Sequence, residues 1–236
     1  MESKKHKLGI AVNWFDQQLL ADIKAAGFDC IMPYVGADFE KTVQGAKKVG
    51  LGFPVAHLDN QADVARDILR ASALGVKTLV LHPRGLDSGQ LEKYINLAQK
   101  HGIRIALENI RAQDDKRLGE LLDEFNTDTL GFCYDCAHHH FFNPTEDLLG
   151  KYGTRCIAVH LSDGLVDYDD HILPFDGRLD FEKIMKDLKT IPVDTLILEA
   201  FQYPLDNEHN LYDKMTQTEF IKQAGKRMKH LCLMLK

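Results

Sequence analysis

The sequence predicts an α/β protein folded as a single (β/α)8 barrel over residues 1–236, and three observations carry that prediction. Short apolar runs recur eight times along the chain, each rich in Val, Ile and Leu, as parallel strands covered on both faces require. Longer segments lie between them with apolar residues at helical spacing. Six of the later runs carry a His, Asp or Glu in their last position or two, so polar chemistry recurs at one place in the repeat.

Taken in order, the run at 7–12 precedes a helical segment at 15–26, and the run at 30–35 precedes one at 39–49. The runs at 53–58 and 78–82 lead to helices at 62–74 and 91–101, and the run at 103–109 leads to a helix at 118–125. The run at 130–135 is followed by a polar, His-rich stretch read as a loop. The run at 157–161 leads to a helix at 181–188, and the run at 195–200 to a basic amphipathic helix at 219–235. Gly27, Gly50, Gly75 and Gly102 directly follow four of these helices, where a left-handed C-cap disfavours a Cβ. Eight alternations favour a closed barrel, with an open sheet as the alternative, because a pattern fixes alternation and not closure. After the first run stands Asn13-Trp14-Phe15, with no Gly-rich phosphate loop.

The 236 residues suit one barrel and leave no room for a second folded domain. Hydrophobic residues at 44% and charged residues at 27% argue against a disordered or membrane protein. No stretch approaches the roughly 18 consecutive apolar residues of a membrane helix, and the first residues carry no apolar leader, so a soluble cytoplasmic protein is expected. Five cysteines, mostly within apolar runs, fit reduced core thiols. Cys133 and Cys136 form a C-x-x-C that is read as lying inside a strand-like run instead of opening a helix, which argues against redox chemistry. A net charge of −6 argues against a general nucleic-acid binder.

The polar run-ends are His57, His82, Glu108, Asp135, His160 and Glu199. In a barrel all parallel strands end at one mouth, where active sites of this fold are built. Three carboxylates brought that close repel and are costly to desolvate, and a shared divalent cation is the economical remedy. Mixed nitrogen and oxygen ligands suit Zn²⁺ or Mn²⁺, with Co²⁺, Fe²⁺ or Mg²⁺ as alternatives, better than Ca²⁺. Taken singly, each of these residues could be an ordinary hydrogen-bonded His or a salt-bridged Glu; their common position favours ligation. Beyond the strands, His138 lies three residues after Asp135, and Asp169 with His171 offers an Asp-x-His pair. The alternative for that pair is a solvated loop in which Asp180 caps the next helix.

This ordered set resembles the xylose-isomerase-like barrel superfamily, which holds sugar isomerases and epimerases together with endonuclease IV. The resemblance runs from the first strand to Leu198-Glu199. It implies that Glu108, Asp135, His160 and Glu199 form the shared metal site and that Asp135 and His138 are the Asp-x-x-His motif. Pro174-Phe175-Asp176-Gly177-Arg178-Leu179-Asp180 is similar to the family's Pro-Gly-x-Gly-x-Ile-Asp segment, with Phe175 in place of the first glycine and Arg178 after the second. The nine-ligand, three-zinc set of endonuclease IV also has counterparts here: His57, His82, Glu108, Asp135, His138, His160, Asp169, His171 and Glu199. Short βα connections and the lack of a basic segment able to bend a duplex favour the isomerase or epimerase branch, which implies a small carbohydrate substrate.

On that branch the resemblance implies that the metal holds a carbonyl and an adjacent hydroxyl, while Glu108 and Glu199 act as acid and base about an enediolate. Asp135 and His160 are then structural ligands, and His57 and His82 bind substrate oxygens or a second metal. Trp14 is expected either to pack a sugar face or to cover the barrel rim. Arg84, Arg111 and Arg178 are candidates for a substrate phosphate or carboxylate. Two readings stay open beside it: a multi-zinc phosphodiesterase, and a non-catalytic metal- or polyol-binding barrel.

Overall fold

The structure is a computed structural model that describes residues 6–58, 61–165, 170–203 and 211–235. Eight strands alternate with helices: β1 (Lys7–Val12), α1 (Gln17–Ala26), β2 (Cys30–Pro33), α2 (Phe39–Lys48), β3 (Val55–His57), α3 (Val64–Leu74), β4 (Thr78–Leu81) and α4 (Ser88–Lys100). The second half comprises β5 (Arg104–Glu108), α5 (Ala112–Glu124), β6 (Leu130–Asp135), α6 (Cys136–Phe142), α7 (Leu148–Tyr152), β7 (Cys156–Leu161), α8 (Phe181–Leu188), β8 (Thr195–Leu198) and α9 (Gln217–Met234).

All the strand pairs are parallel, in the order β2-β1-β8-β7-β6-β5-β4-β3. The two outer strands of that order meet through isolated parallel bridges, Cys30 with Gly52 and Tyr34 with His57. Ile31 N donates to Gly52 O at 2.9 Å and Val35 N to His57 O at 2.7 Å, so the seam between β2 and β3 closes the barrel. Closure removes the exposed strand edges that an open sheet would leave.

Apolar residues form two cores. The larger one lies between strands and helices, where Ile23, Val43, Ile68, Leu91, Leu118 and Met228 meet the outward strand faces. The smaller one fills the barrel axis with one or two residues per strand: Ala11, Cys30 and Met32, Val55, Val80, Ala106, Cys133, Ala158 and Ile197. Side chains alternate across a strand, so the next inward position is two residues further on. Two steps from Val55, Val80, Ala106, Cys133, Ala158 and Ile197 stand His57, His82, Glu108, Asp135, His160 and Glu199. These six residues are thus the topmost inward layer of the barrel, resting on a small apolar one.

Several strands are shorter than the apolar runs that announce them, because their last residues leave the ladder for other partners. His82 N, for example, donates to the Gln61 side chain at 2.7 Å. Helices depart from expectation at polar starts. α4 begins at Ser88 through a capping box of Asp87 and Gln90, and α5 begins at Ala112 with two acidic residues in its first turn. Both lack apolar periodicity there, so a hydrophobic pattern misses them.

The stretch after β6, read as a loop, is helix α6, and Asp135 is its N-cap, accepting from His138 N at 2.8 Å. Cys136 therefore opens a helix, contrary to expectation. Even so, Cys133 lies on the barrel axis, Cys136 Sγ faces Ser162 O at 3.5 Å, and none of the five cysteines forms a disulfide among the described residues. Gly27 and Gly75 take φ of 92° and 95° as the expected left-handed caps, and Asp180 caps α8 by accepting from Lys183 N at 3.0 Å. No helix among the described residues is long and apolar enough to cross a membrane.

Candidate metal centre

Glu108, Asp135, His160 and Glu199 come from four consecutive strand ends, β5 to β8, and are almost wholly shielded from solvent. One ligand atom from each lies within 4.8 Å of every other. His160 Nδ1 stands at 2.9 Å from Glu108 Oε1, 2.8 Å from Glu199 Oε2 and 3.9 Å from Asp135 Oδ2. A single N–H can serve only one of those oxygens, and Glu199 Oε2 has no hydrogen-bond partner. Such an orphaned buried acceptor costs free energy that a cation would recover.

The electrostatics of the cluster point the same way. Burial opposes ionisation of Glu108, yet His160, His57 and His82 together hold its carboxyl well below the usual range. Burial likewise opposes ionisation of Glu199, which His160 lowers to about 2. The His160 imidazole responds in the opposite sense: burial disfavours its charge, and Cys133, Glu199 and Glu108 outweigh burial and raise it well above its ordinary value. Three carboxylates around one imidazole call for positive charge, and they favour the protonated form of His160.

A second set shares Glu108. His57, His82 and Glu108 also present ligand atoms within 4.8 Å of one another. His57 Nδ1 lies 2.7 Å from Leu58 O, and a carbonyl only accepts, so Nδ1 carries the proton. The Nε2 of a neutral His57 is then a lone pair, and it faces Glu108 Oε2 at 2.9 Å. His82 Nε2 lies 3.2 Å from the same oxygen, with its side chain 42% exposed. Two acceptors in contact require a proton or a cation between them, so this set also fits a metal, with two nitrogens, one oxygen and an open side.

Second-layer contacts aim these ligands, as metal sites require. His138 donates from Nδ1 to Asn109 O at 2.9 Å, and His171 from Nδ1 to Glu199 O at 2.9 Å. Their rings stand 6.2 Å apart. Asn109 grips the Asp135 backbone from both sides, donating to its carbonyl at 3.0 Å and accepting from its N–H at 2.8 Å. Asp169 lies outside the described residues, so His171 is the visible member of its pair. The ring of His171 sits on a backbone with φ of 47°, in the loop after β7.

That loop is built on Asp163. Its fully buried carboxylate accepts from the backbone N–H groups of Gly164, Phe175, Gly177 and Leu179 at 2.9–3.0 Å. A Cβ on Gly177 would meet Gly164 O at 2.2 Å, so the second glycine of the segment cannot be replaced cheaply. Phe175 takes φ of 73° where the family's first glycine is expected, and its ring packs on Phe181 and His230.

The remaining expected site residues are placed less tightly. Arg84 forms a two-pronged pair with Asp114, with its Nη2 at 2.8 Å and Nε at 3.3 Å. Arg111 lies over the Phe142 ring at 5.3 Å, and Arg178 is exposed. Trp14 is 41% exposed and borders a small cavity together with Phe201 and Phe220.

Sequence reasoning missed Tyr34, Asn109 and Asp163 as site residues. Tyr34 stands two residues after inward-facing Met32, so strict alternation along β2 would have found it. Asn109 and Asp163 act through backbone groups, and no spacing announces that.

With the geometry in place, the comparisons define the class. A model of the xylose isomerase-like TIM barrel matches residues 20–224, and the chain belongs to that family. An uncharacterized protein of Sinorhizobium fredii is 30% identical over 159 residues, covering 66% of this chain and 49% of that one. An uncharacterized protein of Methanocaldococcus jannaschii is 28% identical over 149 residues, covering 55% and 57%. The chain spans about half the length of the curated relatives it matches.

Among solved structures, D-psicose 3-epimerase in the presence of D-fructose superposes with a TM-score of 0.74 at 14% identity, covering 97% of this chain and 99% of that one. L-Ribulose 3-epimerase gives 0.68 at 17%, covering 96% and 95%. A Thermus thermophilus protein soaked with ZnCl2 gives 0.67 at 21%, covering 85% and 94%. At these identities the likeness is one of fold.

Proposed function

We propose that the protein is a metal-dependent isomerase or epimerase of a small ketose or related hydroxy-keto compound. The observation that carries this reading is the pair Glu108 and Glu199, buried carboxylates that both meet His160 Nδ1, at 2.9 and 2.8 Å. Structural neighbours that are ketose 3-epimerases add support. A divalent cation held by Glu108, Asp135, His160 and Glu199 would supply polarisation of the substrate carbonyl and charge for the developing oxyanion.

The chain's own residues do the rest. Asp135, locked by Asn109, and His160 define the floor. Glu199 takes the proton from the carbon beside the carbonyl on one face, and Glu108 returns one on the other. Epimerisation follows when both act at one carbon, and isomerisation when the proton is moved to the neighbouring carbon. His57 and His82 would meet substrate hydroxyls, and Arg84 and Arg111, two and three residues past His82 and Glu108, are together with Arg178 the candidates for any substrate anion.

The test is a ketose panel run in D2O, read by NMR for deuterium entering at carbon. Incorporation that disappears in Glu199→Gln supports the scheme; full turnover in that variant would sink it.

A second reading, a multi-zinc phosphodiesterase, is favoured by the His57, His82 and Glu108 set, where two imidazole nitrogens meet one carboxylate oxygen at 2.9 and 3.2 Å. Metal content per chain separates the two. About one ion with no cleavage of abasic DNA supports the first, and two or three zinc ions with cleavage support the second.

A further inference from the structure

Tyr34 touches both ligand sets without belonging to either. Its backbone is pinned on two sides: its N–H donates to Val12 O at 3.0 Å, and its carbonyl accepts from Gly36 N at 2.9 Å. Its ring stacks on the His57 imidazole, with centroids 4.8 Å apart and planes 26° from parallel. From that fixed ring the hydroxyl donates to Glu199 Oε1.

The other oxygen of Glu199 is left to the centre. Oε2 stands 2.8 Å from His160 Nδ1 and has no hydrogen-bond partner, while the Glu199 main chain is held through its N–H to Leu161 O at 2.9 Å and its carbonyl to His171. A carboxylate with both oxygens open can grip an ion with one or with two, and its plane can turn. Here the phenol removes that choice.

We propose that Tyr34 is a positioning residue that divides the two oxygens of Glu199, reserving Oε2 for the cation and holding Oε1 fixed beside it as the oxygen free to exchange a proton. The inference rests on the metal-centre part of the function proposed above and reaches beyond it to a residue outside the ligand set. It also explains how one Glu serves as ligand and base: the oxygen that binds the ion is a poor base, and the one held by Tyr34 is not the one that binds.

The experiment loads the full chain with Co²⁺ alone and compares wild type, Tyr34→Phe and Tyr34→Leu. Visible absorption reads coordination number, since cobalt bands weaken as ligands are added. Tyr34→Phe keeps the ring and its stack on His57, so its melting temperature is expected to stay close to wild type. Its Co²⁺ affinity is expected to fall about tenfold or more, with weaker bands as Glu199 closes onto the ion through both oxygens.

On an active ketose, kcat is expected to fall with KM little changed. Unchanged affinity and spectrum in Tyr34→Phe overturn the inference, as does a loss seen only in Tyr34→Leu, which would credit the ring and not the hydroxyl. Wild-type protein that takes up no Co²⁺ overturns it too. A changed spectrum together with no deuterium exchange on any ketose leaves Tyr34's role standing and removes the sugar reading, so the two failures are distinct.

Discussion

Two of the residue sets that share Glu108 differ in how they are walled. The β5–β8 set is closed on all sides, with Glu108, Asp135, His160 and Glu199 nearly inaccessible, whereas the β3–β4 set opens to solvent through His82. The closed set has three carboxylates to one imidazole, and the open set one carboxylate to two. A buried excess of negative charge makes cation binding strong, and a half-open, nitrogen-rich set leaves room for exchangeable ligands. On the proposed reading, the closed side would hold the ion and the open side would admit its exchangeable ligands.

Glu108→Gln breaks both sets at once and should have the largest effect, with deuterium exchange falling by roughly 10²–10⁴-fold and metal content dropping, read by NMR and elemental analysis. His160→Ala against His82→Ala sharpens the comparison: the first should abolish retention of metal through gel filtration, and the second should leave the tightly held ion and raise KM. Equal metal loss in both variants would erase the distinction between the sets.

Protonation offers a third test, because His160 is raised and must shed its proton to ligate. Metal affinity should therefore fall as pH falls, with close to one proton released per ion from this group, measured by calorimetry in buffers of different protonation enthalpy. In the metal-free protein the signs are opposite for the two kinds of group. The raised His160 stabilises below its unfolded value of about 6.5, and that contribution is lost as pH rises through its folded value. Glu108 and Glu199 are lowered, so they stabilise above about 4.3 and lose that contribution as pH falls through their folded values. Metal-free stability should peak between about pH 4.3 and 6.5 in thermal melts, and metal should move that maximum upward.

Gly177→Ala should destabilise by about 1–3 kcal/mol, because its Cβ meets a backbone oxygen that cannot swing aside, and it should disturb His171 before the closed set. Arg84→Met should matter least. Its pair with Asp114 is largely exposed on the Arg side, worth below about 1 kcal/mol, so only a higher KM for a phosphorylated substrate would give Arg84 a role in recognition.

Much of this was legible in the chain. The runs at 7–12 and 130–135 and the helix at 181–188 fall where the structure has them, because their apolar periodicity meets a two-sided core and little else competes. The starts of α4 and α5 and all of α6 were not legible. They are set by Asp87, by buried Asp115 accepting from Ile110 N, and by Asp135 as a cap, which are local polar bonds with no period.

The sequence by itself determined the alternation of strand and helix and which polar residue stands at the end of each later strand, since those follow from side-chain period and apolar content. From these alone His57, His82, Glu108, Asp135, His160 and Glu199 fall in one layer once the barrel closes. Tertiary structure decided the closure through the β2–β3 bridges, the sharing of Glu108 between two sets, and the partners of Tyr34, Asn109 and Asp163. These depend on distances between residues far apart in the chain, down to which oxygen of a carboxylate meets which donor. Periodicity carries no information about such distances; only packing sets them.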